Sequence, residues 1–148
     1  MSVMKDTAKL STENISSLVA TGAGFDLLRY YTLPDFLGKD APYLLYFMGK
    51  NIARETTIET FEELYEFFQY MGWGELQLKK EKRKELVFHL QGHIVEKRLN
   101  QKIFPVDFRL ECGFLAEAAQ SITGDTYECM EDILAKDNII EITATKEK

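Results

Sequence analysis

The sequence predicts an α+β domain with helices packed on one face of a small antiparallel sheet, four strands arranged as two hairpins. Apolar residues recur at helical spacing through the first half of the chain, and the period changes to two from Glu75 onward. A second period-two stretch follows a helical pattern that ends at Gly124. Helical and extended patterns in blocks, rather than in strict alternation, build an antiparallel sheet with segregated helices.

The chain has 148 residues, which fits one domain able to bury a core without disulfide or metal staples. Pro and Gly are scattered singly, with no repeat and no linker. Residues 10–148 are therefore expected to form the single domain, and the polar residues 1–9 a disordered N-terminus. Hydrophobic residues at 45% and charged residues at 28% match globular averages, which sets aside disordered and low-complexity classes.

In chain order, Gly22-Ala23-Gly24 leads into a short helix carrying Phe25, Leu28 and Tyr31. Pro34 is expected to break it at Leu33, because the residue before proline is biased out of the helical region. Asp40-Ala41-Pro42 reads as the next helix start, with Asp as cap and Pro in the first turn. Its stripe is Ala41, Leu45, Met48 and Ile52, widened by Leu44 and Phe47. A helix apolar on most sides is expected to be buried on most sides, as a central helix or at a subunit interface. Gly49 within it costs about 1 kcal/mol relative to Ala, which points to close approach of another backbone.

Thr56-Thr57-Ile58-Glu59 matches a capping box. Phe61, Leu64, Tyr65, Phe68 and Met71 form the apolar face that follows, and Gly72 and Gly74 end the helix. Leu76 and Leu78, then Leu86, Phe88 and Leu90, alternate with polar residues as a hairpin. A short helix is expected around Ile94 to Leu99. Asp107 is expected to cap a last helix with Phe108, Cys112, Leu115, Ala119 and Ile122 inward. Two strands follow, Thr126 to Leu134 and Asn138 to Thr145, joined at Ala135-Lys136-Asp137.

Lys plus Arg is 18 against 24 Asp plus Glu, a net charge of −6. The basic footprint of a nucleic-acid binder is absent. The one basic run, Lys79-Lys80-Glu81-Lys82-Arg83-Lys84, reads as a solvated hairpin turn, with contact to phosphate or an acidic partner as the lesser alternative. The N-terminus has no secretory apolar region, and Tyr43 to Met48 is far too short to span a bilayer. Two cysteines suit a reducing compartment, so the expectation is a cytoplasmic protein without a membrane span.

Few constellations carry chemistry. His89 and His93 have the i, i+4 spacing of a helical metal pair, but His89 lies in an alternating strand, so surface or structural histidines are expected. Cys112 and Cys129 lack the spacing of a zinc site and read as buried free thiols. Glu62, Glu63 and Glu66 occupy the wet face of a helix. There is no Gly-rich phosphate loop and no nucleophile elbow. Hence no catalytic residue, metal or cofactor is assigned. Arg54 is expected to form an ion pair, or alternatively to face the headgroup of an acidic ligand. Phe47, Tyr65, Phe68, Trp73, Phe88, Phe104 and Phe114 are core by default, with pocket lining as the alternative.

Three segments carry a family resemblance: Gly49-Lys50-Asn51-Ile52-Ala53-Arg54, Phe68-Gln69-Tyr70-Met71-Gly72-Trp73-Gly74 and Cys112-Gly113-Phe114-Leu115-Ala116-Glu117. With the element order, they make the whole chain resemble the bacterial YslB-like family, a domain of unknown function. More remotely it is similar to the 4-vinyl reductase-like domains and the small TRAPP subunits. The resemblance implies that fold, an apolar pocket between helices and sheet, small hydrophobic or acyl ligands, and a homodimer formed through helices. Tyr127-Glu128-Cys129 lacks the second nearby cysteine of the vinyl-reductase-like members, and the first two helices hold no cysteine of the acyl-bearing TRAPP type.

Together these readings predict a non-catalytic protein that binds a hydrophobic small molecule in a helix/sheet pocket and dimerises through helices. The expected ligand contacts are Phe47, Arg54, Tyr65, Phe68, Trp73, Phe88 and Phe114. The expected dimer interface is Leu45, Met48, Gly49 and Ile52. The alternative is a protein-interaction or scaffold module with a filled core and no ligand.

Overall fold

A computed structural model describes residues 22–148; the expectation of a disordered segment over residues 1–9 lies outside the described residues. Residues 23–37 form one helical run (α1). Its α-helical parts, Ala23–Leu27 and Leu33–Leu37, flank a π turn, Leu28–Thr32. The break expected at Leu33 does not occur. Pro34 has no N–H for the carbonyl four residues back, and the π turn shifts the bonding so that Leu33 N–H donates to the Leu28 carbonyl. The helical run passes through the proline and ends at Gly38, at φ 72°.

Helix α2 is Ala41–Arg54, with Pro42 in its first turn and no cap from the Asp40 side chain. Its buried residues are Ala41, Leu45, Gly49 and Ala53, a row spaced by four. The stripe expected through Met48 and Ile52 is therefore one position off. Burial on most sides is also corrected: Tyr43 is 77% and Phe47 57% exposed. The deeply buried helix is the last one, Arg109–Thr123, which is buried without interruption from Leu110 to Ala116. The two helices meet backbone to backbone. A Cβ on Gly49 would overlap the Leu110 carbonyl, and one on Gly113 would overlap the Tyr46 carbonyl. Small residues on both helices thus explain how α2 stays attached by one face while its large apolar side chains point outward.

Helix α3, Phe61–Tyr70, opens on a reciprocal capping box between Thr60 and Glu63, one turn later than the Thr56–Glu59 match. The Thr56 hydroxyl instead donates to the Ile52 carbonyl at 2.7 Å. Strands β1, Glu75–Glu81, and β2, Glu85–Gln91, pair antiparallel, with Leu76 opposite Leu90 and Leu78 opposite Phe88. The basic run covers the end of β1 and the turn at residues 82–84. Helix α4, His93–Asn100, and helix α5, Arg109–Thr123, follow. Asp107 supports the start of α5 by accepting the Arg109 N–H at 3.0 Å. Strands β3, Tyr127–Leu134, and β4, Ile139–Lys146, complete the fold.

The sheet order is β1-β2-β4-β3. The two hairpins join through β2 and β4, which set Phe88 opposite Ile142 and Leu90 opposite Ile140. These four side chains are fully buried under the helices, while His89 and Glu141 pair at 2.9 Å on the opposite face. This is the α+β architecture expected. Each outer strand also meets a helix. On β3 the Cys129 N–H donates to the Tyr46 hydroxyl of α2 at 2.9 Å. On β1 the Leu78 N–H donates to the Tyr65 hydroxyl of α3 at 3.1 Å.

Candidate functional site

Under the sheet, aromatic rings fill the interior. Phe67 stacks on Phe114 at 4.3 Å, Phe68 meets Trp73 edge-on at 5.0 Å, and Trp73 meets Phe114 at 5.5 Å. Helices α3 and α5 supply the phenylalanines, and Trp73 enters from the Gly72–Gly74 link, where both glycines take positive φ. Of the side chains expected to contact ligand, Phe68, Trp73 and Phe114 thus converge on one another. Phe88 is buried beside Phe61, at 6.0 Å. Tyr65 is half-buried and engaged with β1. Phe47 and Arg54 lie outside on α2, where Arg54 sits 5.9 Å from the Phe47 ring and 3.4 Å from Glu117. These residues do not share one space.

Of the residues expected at a dimer interface, Gly49 faces α5 of the same chain, Leu45 is buried, Met48 is exposed and Ile52 is half-buried. The close approach expected at Gly49 is present, with the backbone of α5 as the partner.

The open space lies on the other flank, where α1 is attached by charge. Arg29, in the π turn, grips Glu111 of α5 with both ends of its guanidinium, at 2.7 and 3.1 Å, and touches Asp107 at 3.3 Å. Arg29 and Glu111 are 1% and 0% exposed. Burial alone would lower the Arg29 pKa, but the Glu111 carboxylate beside it holds the guanidinium above its ordinary value. Arg98 of α4 binds Asp26 of α1 at 2.9 Å and donates to the Gly72 carbonyl at 2.8 Å. The Tyr30 ring stacks on Phe104 at 5.9 Å.

Beside the Arg98–Asp26 pair and Phe104 is a cavity of about 520 Å³. Its wall consists of the start of α1 (Gly22, Ala23, Asp26, Leu27), one face of α4 (His93, Ile94, Lys97, Arg98) and the link beyond it (Gln101, Ile103, Phe104). Phe104 is the aromatic residue, among those weighed as pocket lining, that lies here. Ile94 and Ile103 were not singled out by sequence. The signal available was the pair Ile103-Phe104, two large apolar residues in a non-periodic stretch just before Pro105. Ile103 remains 84% exposed at the rim.

The remaining polar groups are structural. Tyr46 donates to Glu128, which also binds Lys50 at 2.8 Å. Burial and that bond push the Tyr46 phenol up. Arg109 pairs with Glu131 at 2.6 Å, and the Cys112 thiol lies 3.6 Å from the same carboxylate. Burial pushes both the Cys112 and Cys129 thiols up, the environment of structural cysteines. His89 belongs to β2 and His93 starts α4, so they do not form a pair on one helix. Among the described residues, no group of three or more His, Cys, Asp or Glu side chains is placed to hold a metal ion. No helix among them is long and apolar enough to cross a membrane.

Comparison with known proteins agrees with this architecture. In the solved structures, a vinyl-4-reductase family protein from Methanocaldococcus jannaschii superposes with a TM-score of 0.57 at 16% identity, over 70% of this chain and 68% of that one. The phenol-responsive sensory domain of the transcription activator PoxR, solved with phenol, superposes with a TM-score of 0.57 at 15% identity, over 86% and 75%. At such identities the likeness is one of fold. YslB of Bacillus subtilis (strain 168) is 34% identical over 140 residues, covering 95% of this chain and 94% of that protein. Residues 22–145 match the model of a family of proteins of unknown function, DUF2507. The match takes in both hairpins and every helix described above, and the chain belongs to the DUF2507 family.

Proposed function

We propose that this chain is a non-catalytic binding protein that takes up a hydrophobic small molecule in the cavity between α1 and α4. The observation that carries the reading is the cavity itself. A space of about 520 Å³ falls within the range that encloses drug-sized ligands, and an apolar wall with few polar groups is the usual composition of such sites. The likeness in fold to a sensory domain solved with phenol supports it by analogy. The free thiols Cys112 and Cys129 support action in the cytoplasm.

Native mass spectrometry of freshly purified protein tests the reading. The expected result is a stoichiometric extra mass that leaves on denaturation and is missing from an Ile94→Trp variant, whose ring would occupy the cavity. Wild-type protein without such a mass that also fails to take up the apolar fluorophore N-phenyl-1-naphthylamine would overturn it.

The second reading is a protein-interaction module. It is favoured by one observation: Tyr43, Leu44, Phe47 and Met48 share an exposed face of α2, the kind of apolar surface that marks an interface. In the reading proposed here that face joins two copies of the chain. The same spectra report subunit number, and Phe47→Asp is expected to convert dimer to monomer.

A further inference from the structure

We infer that the cavity between α1 and α4 is built for an apolar molecule bearing one anionic group, which His93 and Lys97 hold; this rests on the reading of that cavity as a ligand site. The assignment follows from the polar side chains of the wall, taken one by one. Asp26 is matched by Arg98, whose guanidinium reaches both of its oxygens at 2.9 to 3.3 Å. The remaining end of Arg98 is spent on the Gly72 carbonyl. Gln101 is spent as well: its amide donates to the Phe104 carbonyl at 2.6 Å and accepts the Ile103 and Phe104 N–H groups.

Two polar side chains of the wall are left, His93 and Lys97. Neither has a hydrogen-bond or ion-pair partner among the described residues. They stand four apart on α4, one turn above the other on a single face, beside the apolar Ile94. Glu75, which lies against Gly92, does not line the cavity.

His93 and Lys97 are exposed at the edge of this apolar space, with no acceptor among the described residues. A carboxylate or similar anion on a ligand would replace the water that solvates them and make charge-assisted bonds with both. A neutral hydroxyl would gain no ion pair there. The occupant this wall suits therefore has an apolar body and a single acidic end.

Calorimetric titration of the full chain with decanoate and with decanol tests the inference, since the two share an apolar tail and differ at the polar end. Decanoate is expected to bind about tenfold more tightly. The doubly substituted His93→Gln, Lys97→Met protein is expected to bind decanol as before and to lose the preference. Equal binding of both compounds by the wild-type protein would overturn the inference while leaving the cavity reading intact. Binding of neither would overturn both. A preference that survives the double substitution would overturn the assignment to His93 and Lys97.

Discussion

One turn apart on α5, Phe114 and Glu111 are both fully buried, yet they hold their surroundings by opposite means. Phe114 sits among Phe67, Phe68 and Trp73, with rings 4.3 to 5.9 Å apart. Glu111 sits in the grip of Arg29 from α1. The aromatic side is held by dispersion and apolar burial, which act over the whole surface, so any void forfeits contacts and the region closes up. The α1 side is held by directional bonds at a few points: Arg29 to Glu111, Arg98 to Asp26, Tyr30 against Phe104. Bonds at points fix distances without demanding that the space between be filled. The cavity lies beside the Arg98–Asp26 pair and Phe104, and the side chains richest in aromatic surface lie where there is no room.

The contrast can be broken directly. Phe114→Ala is expected to lose about 3–5 kcal/mol of unfolding free energy, since the removed ring leaves a cavity its neighbours only partly fill; urea denaturation measures it. Arg29→Met is expected to lose a similar amount, about 3–5 kcal/mol, for a different reason: it strands the buried Glu111 carboxylate without a partner. The second substitution separates the two cases. Adding Glu111→Met to Arg29→Met is expected to restore stability to near the wild-type value, because a matched apolar pair replaces a buried ion pair at little or no cost. If the double variant stays as unstable as the single, the α1 flank is packed as tightly as the core and the contrast fails.

A smaller effect sharpens it. Ala116, 1% exposed inside the filled region, should not accept a larger side chain, and Ala116→Leu is expected to cost about 1–3 kcal/mol. Ala23, on the cavity wall, should accept one: Ala23→Leu is expected to change stability by no more than about 0.5 kcal/mol while weakening ligand uptake. Thermal melts with and without N-phenyl-1-naphthylamine read both.

The sequence made much of the fold legible because its signals are local. Period-two alternation located both hairpins, and Gly72, Gly74 and Gly124 marked ends that the backbone confirms with positive φ. Capping was legible in kind but misplaced by a turn, since Thr56 and Thr60 both precede a Glu by three residues and only tertiary contact chooses between them. What stayed hidden depends on distant partners. Nothing local marks Glu111 as buried, because its partner Arg29 is 82 positions away. Tyr43 and Phe47 read as buried because α2 is apolar, but the small residues Gly49 and Ala53 decide which side faces α5. Aromatic residues at helical spacing report that apolar surface is available and say nothing of whether a void remains among them. The cavity wall is mostly short-range in sequence yet weakly patterned, and only Phe104 of it stood among the residues weighed as pocket lining.

The two tyrosine hydroxyls at the sheet edges have a consequence for how the molecule behaves in a crowded solution. A strand N–H left open at an edge is a template on which a second chain can add its own strand, the first step toward aggregation. Tyr46 on β3 and Tyr65 on β1 occupy one such donor on each side. Each hydroxyl satisfies the strand without extending the ladder. The protein therefore keeps a cavity on one flank while closing, at those positions, the route by which identical chains would zip together.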